Sequence, residues 1–169
     1  ERGRRRLAFD EFLVLQLAVA AKRARPADAD PGIPLTPMPD MVQTFISSLP
    51  FELTESQQTS LAEASEDVAA AVRPMSRLLQ GDVGSGKTVV ALFAALTAIE
   101  GGTQAAIMAP TEILARQHLA SIEPLAKAAG IDVALLTGRE KGKTREALLA
   151  RLASGDLPLV VGTHALFQE

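Results

Sequence analysis

The chain has 169 residues, 47% hydrophobic and 22% charged, with 17 Lys and Arg against 20 Asp and Glu for a formal charge of −3. That length holds one domain with a short appendage, and the net negative charge excludes a passive nucleic-acid coating protein, so any polyanion contact has to be local. The absence of cysteine excludes disulfides, thiolate zinc sites and a thiol nucleophile, and the two histidines, His118 and His164, stand too far apart in sequence to make more than a weak metal pair.

Residues 8–25 carry Phe9, Phe12, Leu13, Leu17 and Ala20 at spacings of three and four, which predicts a helix with one apolar packing face. Its apolar window, Phe12 to Ala21, falls well short of the ~20 residues that span a bilayer. A secretory leader is imitated only loosely, because Asp10 and Glu11 interrupt it, so the expectation is a cytoplasmic protein with no membrane contact. Residues 26–39 hold Pro26, Pro31, Pro34, Pro37 and Pro39, a density that forbids a regular helix and marks a connector. Asp40 is placed to cap a short helix, Met41 to Leu49, which Pro50 stops. A boundary falls there, giving residues 1–49 as helix and linker and residues 50–169 as a second unit.

After Pro50 the texture alternates. Helices are expected over Glu55 to Val72, Lys87 to Glu100, Glu112 to about Ala129 and Lys143 to Ser154. Strands are expected around Leu78 and Leu79, and over Ala105 to Met108, Val133 to Leu136 and Leu157 to Val161. Short apolar strands separated by helices predict an α/β fold with a parallel sheet covered on both faces. Right-handed crossovers gather the loops after the strands along the carboxyl edge, where open α/β proteins bind ligands.

One of those loops carries chemistry. Gly81-Asp82-Val83-Gly84-Ser85-Gly86-Lys87-Thr88 fits G-x-x-x-x-G-K-[ST] at every fixed position, after an apolar pair and before a helix. Glycines let successive N–H groups converge on phosphate, the helix adds its positive dipole end, Lys87 reaches the β and γ phosphates, and the Thr88 hydroxyl is placed to ligate Mg²⁺. Upstream, Thr54-Glu55-Ser56-Gln57 is a capping box. With Phe51 nearby, the same segment offers an aromatic face and an amide for a purine, and spacing alone does not choose between cap and base reader. Downstream, Ala109-Pro110-Thr111-Glu112 and Gly162-Thr163-His164 follow strands as phosphate-sized donor loops, although for each taken singly a plain cap is the first explanation. The Thr137 to Arg145 stretch, with Arg139, Lys141, Lys143 and Arg145 against Glu140, suits either a phosphodiester contact or a solvated turn.

Taken together, Phe51 to Gln57, Gly81 to Thr88, Ala109-Pro-Thr-Glu-Ile-Leu-Ala115 and Gly162-Thr-His-Ala-Leu-Phe-Gln168 resemble the amino-terminal motor lobe of superfamily 2 helicases, and most closely the RecG family of bacterial ATP-dependent DNA helicases. Arg4 to Glu11 and Thr36 to Asp40 are similar to the helix and linker that follow the wedge domain of that family. The resemblance implies a RecA-like P-loop lobe using ATP and Mg²⁺. It gives Gln57 as the adenine reader with Phe51 beside the base, Lys87 and Thr88 as the triphosphate and magnesium residues, and Pro110, Thr111, Gly162 and Thr163, with the Arg139 loop, along the DNA track. It also implies a nucleoid-associated, monomeric motor that reverses stalled forks and migrates branches in recombination and repair. The Asp-Glu-x-His motif that polarises water is expected beyond Glu169, as is the second lobe, so this stretch alone is expected to be inactive. Two other readings share these residues: a transcription-repair coupling translocase, and a nucleotide-gated module without hydrolysis.

Overall fold

The computed structural model describes residues 2–23, 33, 35, 39–70 and 74–167. In chain order these form α1 (Arg2–Arg23), α2 (Pro39–Ser48), α3 (Glu55–Ala70), α4 (Lys87–Glu100), β1 (Ala105–Met108), α5 (Glu112–Ala128), β2 (Val133–Leu136), α6 (Gly142–Ser154) and β3 (Leu159–Gly162), then a 3-10 turn at His164–Phe167. The expected connector lies largely outside the described residues, as does Gln168. α2 begins at Pro39, ahead of the expected Asp40 cap, because proline's fixed φ and missing N–H suit the first helical position.

The three strands form a parallel sheet in the order β1-β3-β2, with Ile107 and Leu135 both in register with Val161. The chain crosses from one edge strand to the other through α5 and returns to the centre through α6. The two crossovers run in opposite directions, so the right-handed connection usual for parallel strands puts α5 and α6 on opposite faces. α5 joins α4 and α2 over a core in which Phe45, Leu92, Leu96, Ile122, Leu159 and Val161 are completely buried. Each such side chain contributes roughly 1.5–3 kcal/mol. Val42 N donates to Glu100 Oε1 at 3.0 Å, fastening the start of α2 to the end of α4.

The other face is thinner than the sequence implies. α6 has no buried residue, and Ala106 and Met108 of β1 are exposed, so that face is not fully covered among the described residues. Two further expectations are corrected. Leu78 and Leu79 form no strand; residues 74–80 run without regular structure and Leu78 is 90% exposed. A strand exists only through a ladder partner, and no described strand pairs with this segment. Phe9, Phe12, Leu13 and Leu17 of α1 are likewise exposed, so its apolar face packs against nothing among the described residues.

Candidate functional site

The 81–88 loop is shaped by its glycines. Gly84 has φ 83° and Gly86 φ 81°, in the left-handed region that side chains rarely tolerate. Gly86 is the N-cap of α4, and no side chain caps that helix, although Val89 N donates to Gly86 O at 2.9 Å; an uncapped helix start suits an anion. Lys87 Nζ donates to Gly81 O at 2.8 Å and to Asp82 O at 2.6 Å, with Ser85 Oγ at 3.5 Å. The ammonium is therefore centred on its own loop, and Lys87 joins none of the ion pairs among the described residues. A cavity of about 280 Å³ opens beside it, lined by Gln57, Gln80, Gly81, Asp82, Ser85 and Lys87 among others. Glycine bends, a helix start without a side-chain cap and an ammonium outside the described ion pairs suit the phosphates of a nucleotide. Among the described residues no group of three His, Asp or Glu side chains converges to hold a metal by itself, so a cation here would rest on Thr88 and phosphate oxygens.

Gln57 serves as both cap and loop contact. Its Oε1 accepts from Thr54 N at 2.9 Å while Gln57 N donates to Thr54 Oγ1 at 3.3 Å, completing the reciprocal box. Its Nε2 donates to Ser85 O at 2.9 Å, joining the start of α3 to the phosphate loop. That amide packs so closely that a Cβ on Gly86 would overlap it. Phe51 is 48% exposed and lines a different cavity, of about 530 Å³, with Ile46, Leu49, Leu53 and Gln58. Phe51 and Gln57 thus line separate hollows, and of the two only the one lined by Gln57 includes residues of the 81–88 loop.

Before the loop, Arg77 grips Glu63 and Asp67, one turn apart on α3. The hydrogen bond from Arg77 holds the Asp67 carboxyl below its usual range. Composition gave no hint of Arg77, though carboxylates four apart on a helix facing an extended arginine are a readable pattern.

At the carboxyl edge, the central loop belongs to β3. Gly162 is buried, and a Cβ there would run into the Leu136 carbonyl and the Leu166 side chain, so close backbone approach requires glycine. Thr163 is also buried, its Oγ1 accepting from Ala165 N at 3.5 Å while its carbonyl accepts from Leu166 N at 3.0 Å. Its hydroxyl shapes the following turn and does not face solvent. Pro110 and Thr111 are exposed, and Thr111 Oγ1 accepts from Leu114 N at 3.3 Å as the cap of α5.

Arg139 is 76% exposed on its side chain and pairs with Glu112 Oε2 at 3.0 Å, bringing the loop after β2 against the start of α5. Glu112 Oε1 also takes Arg116 at 2.9 Å, and Glu140 Oε1 lies 3.9 Å from Arg116. Glu140 Oε2 accepts from Thr137 N at 2.6 Å and from Thr137 Oγ1 at 2.7 Å. Burial acts to raise the Glu140 pKa, but the Thr137 hydrogen bonds and the Arg116 charge outweigh it, and the carboxyl titrates below its ordinary value. Sequence reading missed Glu112, Arg116 and Glu140. The Thr-x-x-Glu spacing of Thr137 and Glu140 and the i,i+4 spacing of Glu112 and Arg116 were the available signals.

A parallel α/β sheet whose helix α4 starts on this glycine-bent, lysine-centred loop defines a nucleotide-binding protein of the phosphate-loop class. The chain belongs to the DEAD/DEAH box helicase family, which it matches over residues 54–169. It is 47% identical over 167 residues to the ATP-dependent DNA helicase RecG of Synechocystis and 48% identical to that of Bacillus subtilis, in each case over 99% of this chain. Those matches span 20% and 24% of the relatives' own lengths, so the chain corresponds to about a fifth to a quarter of them. The solved structure of RecG bound to a three-way DNA junction superposes with TM-score 0.83 at 43% identity, covering 98% of this chain and 22% of that one. The α/β unit is thus a RecA-like helicase lobe, and the likeness to RecG extends to the residues before it. No helix among the described residues is long and apolar enough to cross a membrane.

Proposed function

We propose that the chain forms the inter-domain helix and linker (1–49) and the amino-terminal part of the first motor lobe (50–169) of an ATP-dependent double-stranded DNA translocase that remodels stalled forks and branched DNA. The observation that carries this is Lys87, its ammonium centred by Gly81 O and Asp82 O inside a loop bent by Gly84 and Gly86 at the uncapped start of α4. Bound there, ATP with Mg²⁺ supplies the phosphoryl transfer that powers the motor.

The residues of this chain bind and orient. The 81–86 amides and the α4 N-terminus cradle the phosphates, Lys87 exchanges its carbonyl partners for phosphate oxygens, and Thr88 helps hold the magnesium. Gln57 reads the adenine edge with Phe51 to one side, and because its amide already contacts Ser85 O, base occupancy is felt by the phosphate loop. Pro110, Thr111 and the Arg139 loop face the DNA backbone directly, while Gly162 and Thr163 act by fixing the shape of the central loop. Hydrolysis also requires a group that polarises water, and the described strands β1, β2 and β3 end in Met108, Leu136 and Gly162. The relatives described as RecG favour the fork-remodelling reading over a transcription-coupled translocase. A cytoplasmic, nucleoid-associated, monomeric motor is the corresponding cellular picture.

The test is Lys87→Ala in the intact protein. DNA-stimulated ATP hydrolysis is expected to disappear while DNA binding stays within about twofold, because the ammonium acts on the triphosphate and not on the duplex. Unchanged turnover would refute the assignment.

A further inference from the structure

Arg116 and Arg139 come from different elements, yet they share one carboxylate. Arg116 lies one turn into α5 and Arg139 in the loop after β2, and both pair with Glu112, at 2.9 and 3.0 Å. The layering is uneven. The Glu112 and Glu140 side chains are 25% and 16% exposed, whereas the guanidinium side chains of Arg116 and Arg139 are 51% and 76% exposed. The carboxylates lie beneath and the guanidinium groups above, so an anion arriving from solvent meets the cations first.

The donor pattern sharpens this. Arg139 meets Glu112 through Nε, which leaves the paired terminal nitrogens of its planar fork for an outside acceptor. Arg116 is held on two sides, by Glu112 and by Glu140, and Glu140 is itself fixed to Thr137 by two hydrogen bonds. Free arginines carry large rotamer entropy, which binding an anion has to remove. Here the carboxylates have already removed much of it.

We propose that Glu112 is a positioning residue for nucleic acid: by bridging Arg116 and Arg139 it presents them as one pre-ordered pair that binds phosphodiester oxygens across the start of α5 and the loop after β2. The inference rests on the DNA-track reading given above and adds to it the residue that builds the site. Its consequence runs against simple electrostatics. Removing a negative charge beside a polyanion track ordinarily tightens binding, whereas loss of the Glu112 carboxylate loosens it, because Arg139, which pairs with no other carboxylate among the described residues, then has to be ordered at the moment of contact, while Arg116 keeps Glu140.

The experiment uses the intact protein and a fluorescently labelled duplex, with affinity measured across a salt series for Glu112→Gln, Arg116→Gln, Arg139→Gln and the double variant Glu112→Gln/Arg139→Gln. Glu112→Gln is expected to weaken binding about two- to tenfold, the range set by ordering one rotamer-rich side chain. It should also lower the slope of log K against log salt by about one unit, as losing one phosphate contact does. In the Arg139→Gln background the same change should add little, which a general loss of fold would not reproduce. Glu112→Asp keeps the charge at the helix start but shortens the reach. It should show the same weakening with an unaltered melting temperature, and full affinity in that variant would overturn the proposal. Tighter or unchanged binding in Glu112→Gln, with Arg139→Gln still weakened, overturns the positioning role and leaves the DNA track standing. Affinity and salt slope unaltered by either arginine variant would remove the track reading at this edge, and the proposal with it.

Discussion

Substitution of the two left-handed glycines separates the backbone requirement of the phosphate loop from its contact with Gln57. Gly84 and Gly86 have nearly equal φ, 83° and 81°, so an alanine at either meets a similar left-handed penalty of about 1–2 kcal/mol. Their surroundings differ. A Cβ at Gly84 meets nothing within 4 Å, whereas one at Gly86 overlaps the Gln57 amide. That overlap displaces the Gln57 bond to Ser85 O, a loss of about 0.5–1.5 kcal/mol. At 1.4 kcal/mol per factor of ten, Gly84→Ala should weaken nucleotide binding about 5- to 30-fold and Gly86→Ala roughly a further 2- to 10-fold. Isothermal titration of ATP and ADP with Mg²⁺ into the intact protein reads both values. Adding Gln57→Ala removes the overlapped group, so the gap between the two glycine variants should close in that background. Equal affinities for Gly84→Ala and Gly86→Ala, or a gap that survives Gln57→Ala, would refute the packing of Gln57 against the loop.

Two further outcomes concern stability. Phe45→Ala empties the most enclosed aromatic position between α2 and the α4–α5 layer and should lower unfolding free energy by about 3–5 kcal/mol, measured by chemical denaturation; a loss under 1 kcal/mol would mean α2 does not complete the core. The native pKa of Glu140 lies below its ordinary value, near 4.5, so its stabilising contribution is full above that pH and disappears as pH falls through the native value. Glu140→Gln should therefore melt below the parent at neutral pH, with the difference shrinking below about pH 4.5; a constant offset across the acid range would exclude the Thr137 and Arg116 contacts as its cause.

What the sequence revealed, and what it hid, divides by range. α4, β1 and β2 have the expected bounds because periodicity, a glycine N-cap and flanking turns act within a few residues. The 81–88 loop was legible for the same reason: its chemistry is contiguous. Leu78 and Leu79 misled, since apolar residues in a row describe a strand only when another strand is beside them, and the same holds for the apolar face of α1. The β1-β3-β2 order is a matter of which edge each crossover reaches, which local pattern does not encode. Gln57 to Ser85 and Glu112 to Arg139 join residues 28 and 27 positions apart. Each side chain had an adequate local explanation, as a cap or as a solvated charge, and only the folded chain brings the partners together.

The central claim is that residues 81–88 enclose the triphosphate. A crystal structure of the intact protein with Mg²⁺ and a non-hydrolysable ATP analogue should place the phosphates against the 81–86 amides, with Lys87 Nζ withdrawn from Gly81 O and Asp82 O onto phosphate oxygens. An analogue seated elsewhere, with Lys87 still on those two carbonyls, would contradict it.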